Sequence, residues 1–510
     1  MPISRRKFIT SAAAGVGAAA IGGKIAKATS DYVNITHPSK YLFPEASRTS
    51  IENVVVVMME NRSTDHFLGW WGDEIGYGNF AARTTLGPDG PISNPEGDSL
   101  ATFDFGAGGE GNFSGHPFGD PNHSHRGGRH QLGDAYHANP QASDIPNGWL
   151  TEGSGTDRYA LSYYRGEDLP VLAQIVKDFT AFDNFHCSWM GNTYPNRYYM
   201  HSAQSHGIDN NDFPPQRIGE NPEWAIGFDW PTLWDYLTVR GITWKYYFSN
   251  LPAIALFGAR NLANTRHITE YYADAAAGTL PQVSFVDPFF VAPEGLANDD
   301  HPHADIRLGQ EFYSDVTTAY LSGPQWHSGA MFITYDEWGG FWDHKVPPKV
   351  GVDIDPLAND GTLEEYKAGD APPDMGLYGF RVPTVLLSPY ARATENDGKS
   401  FRTVSDQHDF TSILNFIAHN WGIASTGEWD PGFSRLKTST VEAAFDFVNP
   451  PDPEVDVDLY AYEAPPEIRL EPYGANPSSS VSDLWSVADW IEDQGFTINT
   501  RFADALPSTR

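Results

Sequence analysis

The run VVVVMM at 54–59 constrains the fold more than any other stretch of this 510-residue chain. Six consecutive apolar residues, four of them valine, match a strand in length and propensity but leave no polar face for water. Such a strand needs cover on both sides. Three further runs share the pattern: VSFV at 283–286, AMFIT at 330–334 and TVLLS at 384–388. Between them, LPVLAQIVKDF (169–179), PTLWDYLTV (231–239) and HDFTSILNFIAHNW (408–421) carry apolar residues at helical spacing. The alternation predicts an α/β fold, a three-layer sandwich whose mostly parallel central sheet bears helices on both faces.

The runs also end alike. VVVVMM passes into Glu60-Asn61, AMFITY into Asp336-Glu337 and VSFV into Asp287. Ligands of open α/β sheets bind outside the carboxyl ends of the strands, so acids delivered there by separate strands converge on one crevice. Carboxylates gathered around an amide repel one another unless a cation sits among them, and all-oxygen ligation suits a hard or borderline divalent ion. Taken singly, each acid fits a helix cap or a solvated loop equally well. Taken together, the strand-end pairs predict metal binding.

The ends of the chain and its charge frame this core. "SRRKFITSAAAGVGAAAIGGKIAKATS" joins paired Arg5-Arg6 to a Gly/Ala-rich stretch and then Ala26-Lys27-Ala28. This is the order of an export signal of the twin-arginine type, cleaved after Ala28. The apolar stretch is too short to span a bilayer. Cleavage removes Arg5, Arg6, Lys7, Lys24 and Lys27 and takes the net charge from −33 to −38. A chain so acidic is a poor partner for nucleic acid or an anionic membrane surface. The single cysteine, Cys187, excludes an intramolecular disulfide, which suits a protein exported already folded to the periplasm or beyond. Residues 29–448 are read as one domain with a Gly-, Asn- and His-rich lid or insert at 86–147. An acidic, Pro-rich strap follows, in which 449–510 packs back on the same domain. It ends in a helix with Leu484, Val487, Ala488 and Ile491 on one face, stopped at Gly495.

Six ordered blocks between about 51 and 425 resemble the bacterial phosphoesterases that include secreted phospholipases C and a group of acid phosphatases. They are "MMENRSTDHFLG", "DPNHSH" with "IPNGW", "YYRGEDLPVLAQIVKDFTAFDNFHCSWMGNTYPNR", "DDHPHADIRLGQ", "TYDEWGGFWDHKVPP" and "RVPTVLLSPYA". Thr64 stands where that family usually has Phe, and Asn192 where its phospholipases usually have Pro. The resemblance implies an alkaline-phosphatase-like fold and one divalent ion, with Ca, Zn, Mg and Mn all open. It implies ligands Glu60, Asn61, Thr193, Asp336 and Glu337, with Thr193 attacking phosphorus.

The residue types are suited to that chemistry. Thr193 sits in a turn between Gly191 and Pro195, a composition that presents a hydroxyl at a helix start, where free N–H groups suit phosphate. A threonine hydroxyl needs activation, and a bound metal is one activator. A departing alkoxide needs a proton, usually from histidine. By resemblance the candidates are His123, His301 and His344, with His303 a further choice. His116, His125, His130 and His137 read as exposed loop histidines. Arg197 either clamps a phosphate oxygen or braces the turn, and Asn61 can also meet substrate. Cys187 lacks the Cys-x-Pro-x-Arg context of a sulfatase and reads as a small buried residue.

For substrate, tryptophans near the motifs (Trp70, Trp71, Trp149, Trp189, Trp338, Trp342) offer either packing or a cage for a quaternary ammonium such as choline. The expected activity is hydrolysis of phosphodiesters such as phosphatidylcholine-like lipids. The alternative is a broad acid phosphatase. A cation-binding surface protein without catalysis is a third reading, for which the nucleophile turn would have no use.

Overall fold

A computed structural model describes residues 49–76, 92–93, 99–133, 146–151, 155–205, 208, 210–211, 232–290, 297–348, 378–423 and 441–470, apart from 251, 258, 397 and 398. The export signal and the terminal helix at 484–491 lie outside these residues, as does His137.

In chain order, the main sheet is built from β1 (Asn53–Met59), β2 (Thr180–Phe182), β3 (Trp244–Phe248), β4 (Thr265–His267) and β5 (Val283–Val286). It continues with β6 (Gly329–Tyr335), β7 (Thr384–Leu387), β8 (Thr394–Asn396) and β9 (Lys399–Val404). Its spatial order is β8-β9-β2-β7-β6-β1-β5-β3-β4. Five neighbouring pairs are parallel and three antiparallel, so the sheet is mostly parallel, as expected. The antiparallel pairs come from β7, which runs against both neighbours, and from the β8–β9 edge hairpin.

The VVVVMM run lies at the centre. Val56 pairs with Phe332 of β6 on one side and Phe285 of β5 on the other. Every residue of β1, β5 and β6 is buried, on both faces of the pleat. Continuous apolar sequence is what such a position demands.

The helices are α1 (Thr64–Ile75), α2 (His125–Leu132), α3 (Pro170–Asp178), α4 (Thr193–Ser202), α5 (Leu233–Arg240), α6 (Ile268–Ala277), α7 (Ile306–Leu321) and α8 (Phe410–Asn420). Two packed sets cover the sheet: α3 and α6 on α7, and α5 and α8 on α4. Local chemistry fixes the ends. Ser63 accepts the His66 N–H to start α1, which closes at Gly76 in the left-handed region (φ 63°). Asp409 caps α8, and Pro170 occupies the first turn of α3, where its missing N–H costs nothing. Residues 449–470 run across the outer helices. Tyr460 donates to Asp178 of α3, the Tyr462 N–H to Ser314 of α7, and Ala464 and Ile468 pack on Leu308.

Candidate active site

The ends of β1, β6 and β5 lie side by side, and the crevice forms there. After Met59 the chain turns sharply at Asn61, which takes a left-handed conformation (φ 57°) that asparagine tolerates better than most residues. The turn keeps Glu60 and Asn61 at the sheet end and stitches β1 to the segment after β6. The Asn61 N–H donates to Asp336 Oδ1 (3.0 Å), and the Arg62 N–H donates to the Glu337 carbonyl (3.1 Å). Gly339 makes the approach possible, because at φ 65° a Cβ there would stand 2.1 Å from the Asn61 carbonyl oxygen.

Helix α4 brings a hydroxyl and a guanidinium into the same crevice. Thr193, its first residue, donates to Glu60 Oε2 (3.3 Å). Arg197, one turn along, donates from Nε to Glu60 Oε1 (3.0 Å) and from Nη1 to Asp287 Oδ1 (3.0 Å). The same Nε lies 3.7 Å from Asp336 Oδ2. The Glu60 and Asp336 carboxyls interact directly across the crevice, close enough for one ion's ligand shell, whose oxygens lie at most about 5 Å apart. The turn before α4 is held by Asn196, which accepts from the Trp189 N–H (2.8 Å) and donates to the carbonyls of Trp189 and Gly191 (3.0 and 2.9 Å). Sequence reasoning missed Asn196. Its only signal is an amide beside the turn.

Four carboxylates, of Glu60, Asp287, Asp336 and Glu337, are buried here, and the Arg197 guanidinium pairs with the first three. Burial pushes the Glu60 and Glu337 carboxyls well above their ordinary range, and the charge on Asp336 pushes both further. Burial also raises Asp336 and Asp287, against the pull of Arg197. Several polar atoms here lack any hydrogen-bond partner among the described residues: Asn61 Oδ1 and Nδ2, Asp336 Oδ2 and Glu337 Oε1. Buried oxygens without donors, with excess negative charge, fit a divalent cation.

Two of the expected histidines stand over this crevice. His123 donates from Nδ1 to the Pro121 carbonyl (2.8 Å), and its Nε2 lies 3.8 Å from Glu337 Oε1. His301 donates from Nδ1 to the Pro302 carbonyl, its ring edge-on to His123 at 6.1 Å. Burial holds His301 down at about 4, and its Nε2 has no hydrogen-bond partner among the described residues. One ligand atom each of Asp120, His123 and His301 also lies within 4.8 Å of the others.

His344 belongs to a different network. Its Nδ1 bonds Asp65 Oδ2 (2.6 Å), and Arg381 ties Asp65 to Asp343. Burial acts to raise Asp65, but His344 and Arg381 outweigh it and hold the carboxyl at about 2. His303 bonds the Phe118 carbonyl and stacks on His116. His125 corrects the reading as an exposed loop residue: it is buried, donates to the Met190 carbonyl (2.6 Å) and stacks on Trp189. Cys187 is fully buried, as expected, and its Sγ donates to the Trp189 carbonyl (3.4 Å).

The Phosphoesterase family model matches residues 51–424, a span that contains both strand-end pairs, the Thr193 turn and His301. The chain belongs to the phosphoesterase family. It is a phosphoric ester hydrolase. Non-specific phospholipase C6 of Arabidopsis thaliana is 31% identical over 402 residues, which cover 75% of this chain and 72% of that protein. Non-specific phospholipase C1 of the same plant is 32% identical, over 68% of this chain and 62% of its own length. Phospholipase C B of Mycobacterium tuberculosis is 28% identical over 79% of each chain. Among solved structures, an alkaline phosphatase superfamily protein from Vibrio parahaemolyticus superposes with a TM-score of 0.33 at 10% identity, over 80% of this chain and 77% of that one.

In this phosphoesterase the six tryptophans near the motifs are at most 5% exposed. Trp338 donates to Gln131 Oε1 and Trp149 to the Gly340 carbonyl. They are packing residues, and none opens a face for a quaternary ammonium. No helix among the described residues is long and apolar enough to cross a membrane.

Proposed function

We propose that the chain is an exported phospholipase C-type phosphoesterase that cleaves phosphodiesters through a phosphoryl-Thr193 intermediate. The observation that carries this reading is the Thr193 hydroxyl at the start of α4, hydrogen-bonded to Glu60 among buried, unpartnered ligand atoms. Glu60, Asn61, Thr193, Asp336 and Glu337 would hold one divalent cation, which when bound supplies charge to lower the Thr193 hydroxyl pKa and polarise the phosphate.

The chain's own groups do the rest. Glu60 Oε2 is the acceptor in reach of the Thr193 proton. The Thr193 Oγ–phosphorus bond forms as the bond to the leaving oxygen breaks. His123, whose Nε2 lies beside Glu337, is assigned the donation of a proton to the leaving oxygen, and His301, held neutral with its Nδ1–H on the Pro302 carbonyl, is assigned a place beside it. Water then attacks phosphorus and gives a proton back to His123 as the bond to Thr193 Oγ breaks, Glu60 returns its proton to Oγ, and the phosphate product leaves. Arg197, with its nitrogens on Glu60 and Asp287, is assigned the bracing role rather than a phosphate clamp.

A broad phosphomonoesterase is the second reading, favoured by the six packed tryptophans near the motifs, none of which offers a face to choline. Turnover of p-nitrophenylphosphorylcholine against p-nitrophenyl phosphate decides between them. The phospholipase C reading requires the diester to win in kcat/KM. A preference for the monoester selects the phosphatase.

A further inference from the structure

Asp287 looks at first like a further metal ligand, since it ends β5 beside β1 just as Glu60 and Asp336 end their strands. Its oxygens are already engaged. Oδ1 accepts from Arg197 Nη1 at 3.0 Å, and Oδ2 accepts from the Tyr246 hydroxyl and the Ala253 N–H. Arg197 in turn places Nε and Nη2 on a single oxygen of Glu60, Oε1. That leaves Oε2 as the Glu60 oxygen facing the Thr193 hydroxyl. The result is a continuous buried chain, from Tyr246 through Asp287, Arg197 and Glu60 to Thr193.

The elements that carry it are rigid. Tyr246 lies in the middle of β3, Asp287 directly follows β5, and Thr193 and Arg197 are four residues apart on α4. Arg197 also packs under the Phe290 ring, its guanidinium carbon 4.7 Å from the centroid. A planar guanidinium can bridge two carboxylates in fixed geometry, which an ammonium cannot. Without Asp287, Arg197 would have Asp336 as its nearest remaining acid beside Glu60, with Nε already 3.7 Å from it. The guanidinium would then shift toward the oxygens left for the cation.

We infer that Tyr246 and Asp287 are positioning residues for the nucleophile: through Arg197 they hold Glu60 in the one rotation that turns Oε2 to Thr193 and Oε1 away. This rests on the assignment of Thr193 as nucleophile. Neither residue touches substrate, so the loss should fall on kcat rather than KM.

The test is steady-state turnover of p-nitrophenylphosphorylcholine by the full mature chain at saturating cation, with folding checked by thermal melting. Tyr246→Phe keeps the ring and removes only the hydroxyl, so it reports even where Asp287→Asn folds poorly. The expected losses in kcat are roughly tenfold for Tyr246→Phe and about a hundredfold for Asp287→Asn and Arg197→Lys, with KM within about twofold, since small misplacements near chemistry cost that much. Because the residues act as one strut, the Asp287→Asn/Arg197→Lys double variant should lose no more than the worse single one. Multiplicative losses would overturn the inference. So would full kcat in the folded Tyr246→Phe and Asp287→Asn variants beside an inactive Thr193→Ala. An active Thr193→Ala would overturn the nucleophile assignment and the strut with it.

Discussion

Asp336→Asn should make the cation-free protein more stable and the cation-loaded protein less so. In the wild type, Asp336 Oδ1 accepts the backbone N–H groups of Asn61 and Glu337 (3.0 and 2.7 Å), while Oδ2 accepts no hydrogen bond among the described residues and the Asp336 charge repels Glu60. An asparagine keeps the Oδ1 acceptor and puts an N–H₂ where Oδ2 was, able to donate to Glu60. A hydrogen bond to a charged group is worth about 1.5–3 kcal/mol, so the chelated variant should gain on that order. The wild type behaves in the opposite sense. At a cation concentration a hundred times its Kd, binding stabilises by about 2.7 kcal/mol. For the 374 residues spanned by 51–424, an unfolding entropy of about 2.1 cal/mol/K per residue turns this into roughly a 3 °C rise in Tm. Differential scanning calorimetry with chelator and with added divalent ion gives both quantities. The chelated variant should melt higher than the chelated wild type, and the cation should raise only the wild type appreciably. A variant with lower Tm under chelator and the full cation response would refute the claim that these carboxylates are held together for a cation.

Three further outcomes follow from other parts of the molecule. His125, which burial holds at about 4, stays neutral in the fold while the unfolded chain binds a proton below the ordinary 6.5. Its contribution to stability is therefore full above pH 6.5 and is lost as pH falls toward 4. Denaturant titrations should find the wild-type advantage over His125→Gln shrinking by about 2 kcal/mol between pH 7.5 and pH 5, and an unchanged difference would contradict this. Gly339→Ala should weaken cation binding at least tenfold in titration calorimetry, because the new Cβ meets the Asn61 carbonyl oxygen and φ is positive; wild-type affinity would show that the two strand ends need no such close approach. Replacing Arg5-Arg6 by Lys-Lys should retain the protein in the cytoplasm on cell fractionation, and undiminished export would mean that this segment is not a twin-arginine signal.

Much of this was legible in the sequence where one residue's environment is set by its own strand. The four apolar runs became β1, β5, β6 and β7, within a residue or so of the predicted bounds. Acids at strand ends could be read as converging because a parallel sheet brings those ends to one edge. The aromatic strand β3, WKYYF, was not legible, since Lys245 interrupts its pattern and is satisfied by Asp274 instead. Helix α7 was missed because Arg307, Gln310, Glu311 and Asp315 break up an apolar stripe that burial shows to be present.

The parts of the site that escaped are those made by long-range hydrogen bonds. Nothing near His344 in sequence announces that Asp65, 279 positions away, will hold its ring in a network with Arg381. Nor does "SHRGG" reveal that His125 packs on Trp189. Arg197 carried two possible roles until its partners Glu60 and Asp287 were known. Residue type supplied the chemistry, and pairing across the fold decided where it could act.

The stereochemical course at phosphorus tests the covalent Thr193 mechanism most directly. Hydrolysis of a diester made chiral at phosphorus by sulfur and oxygen isotopes, run in isotopically labelled water, reports the number of displacements. Attack by Thr193 followed by attack of water gives two in-line displacements and net retention of configuration. A water molecule attacking the diester directly, with Thr193 serving only to start α4, gives one displacement and inversion. Retention is the predicted result, and inversion would contradict it.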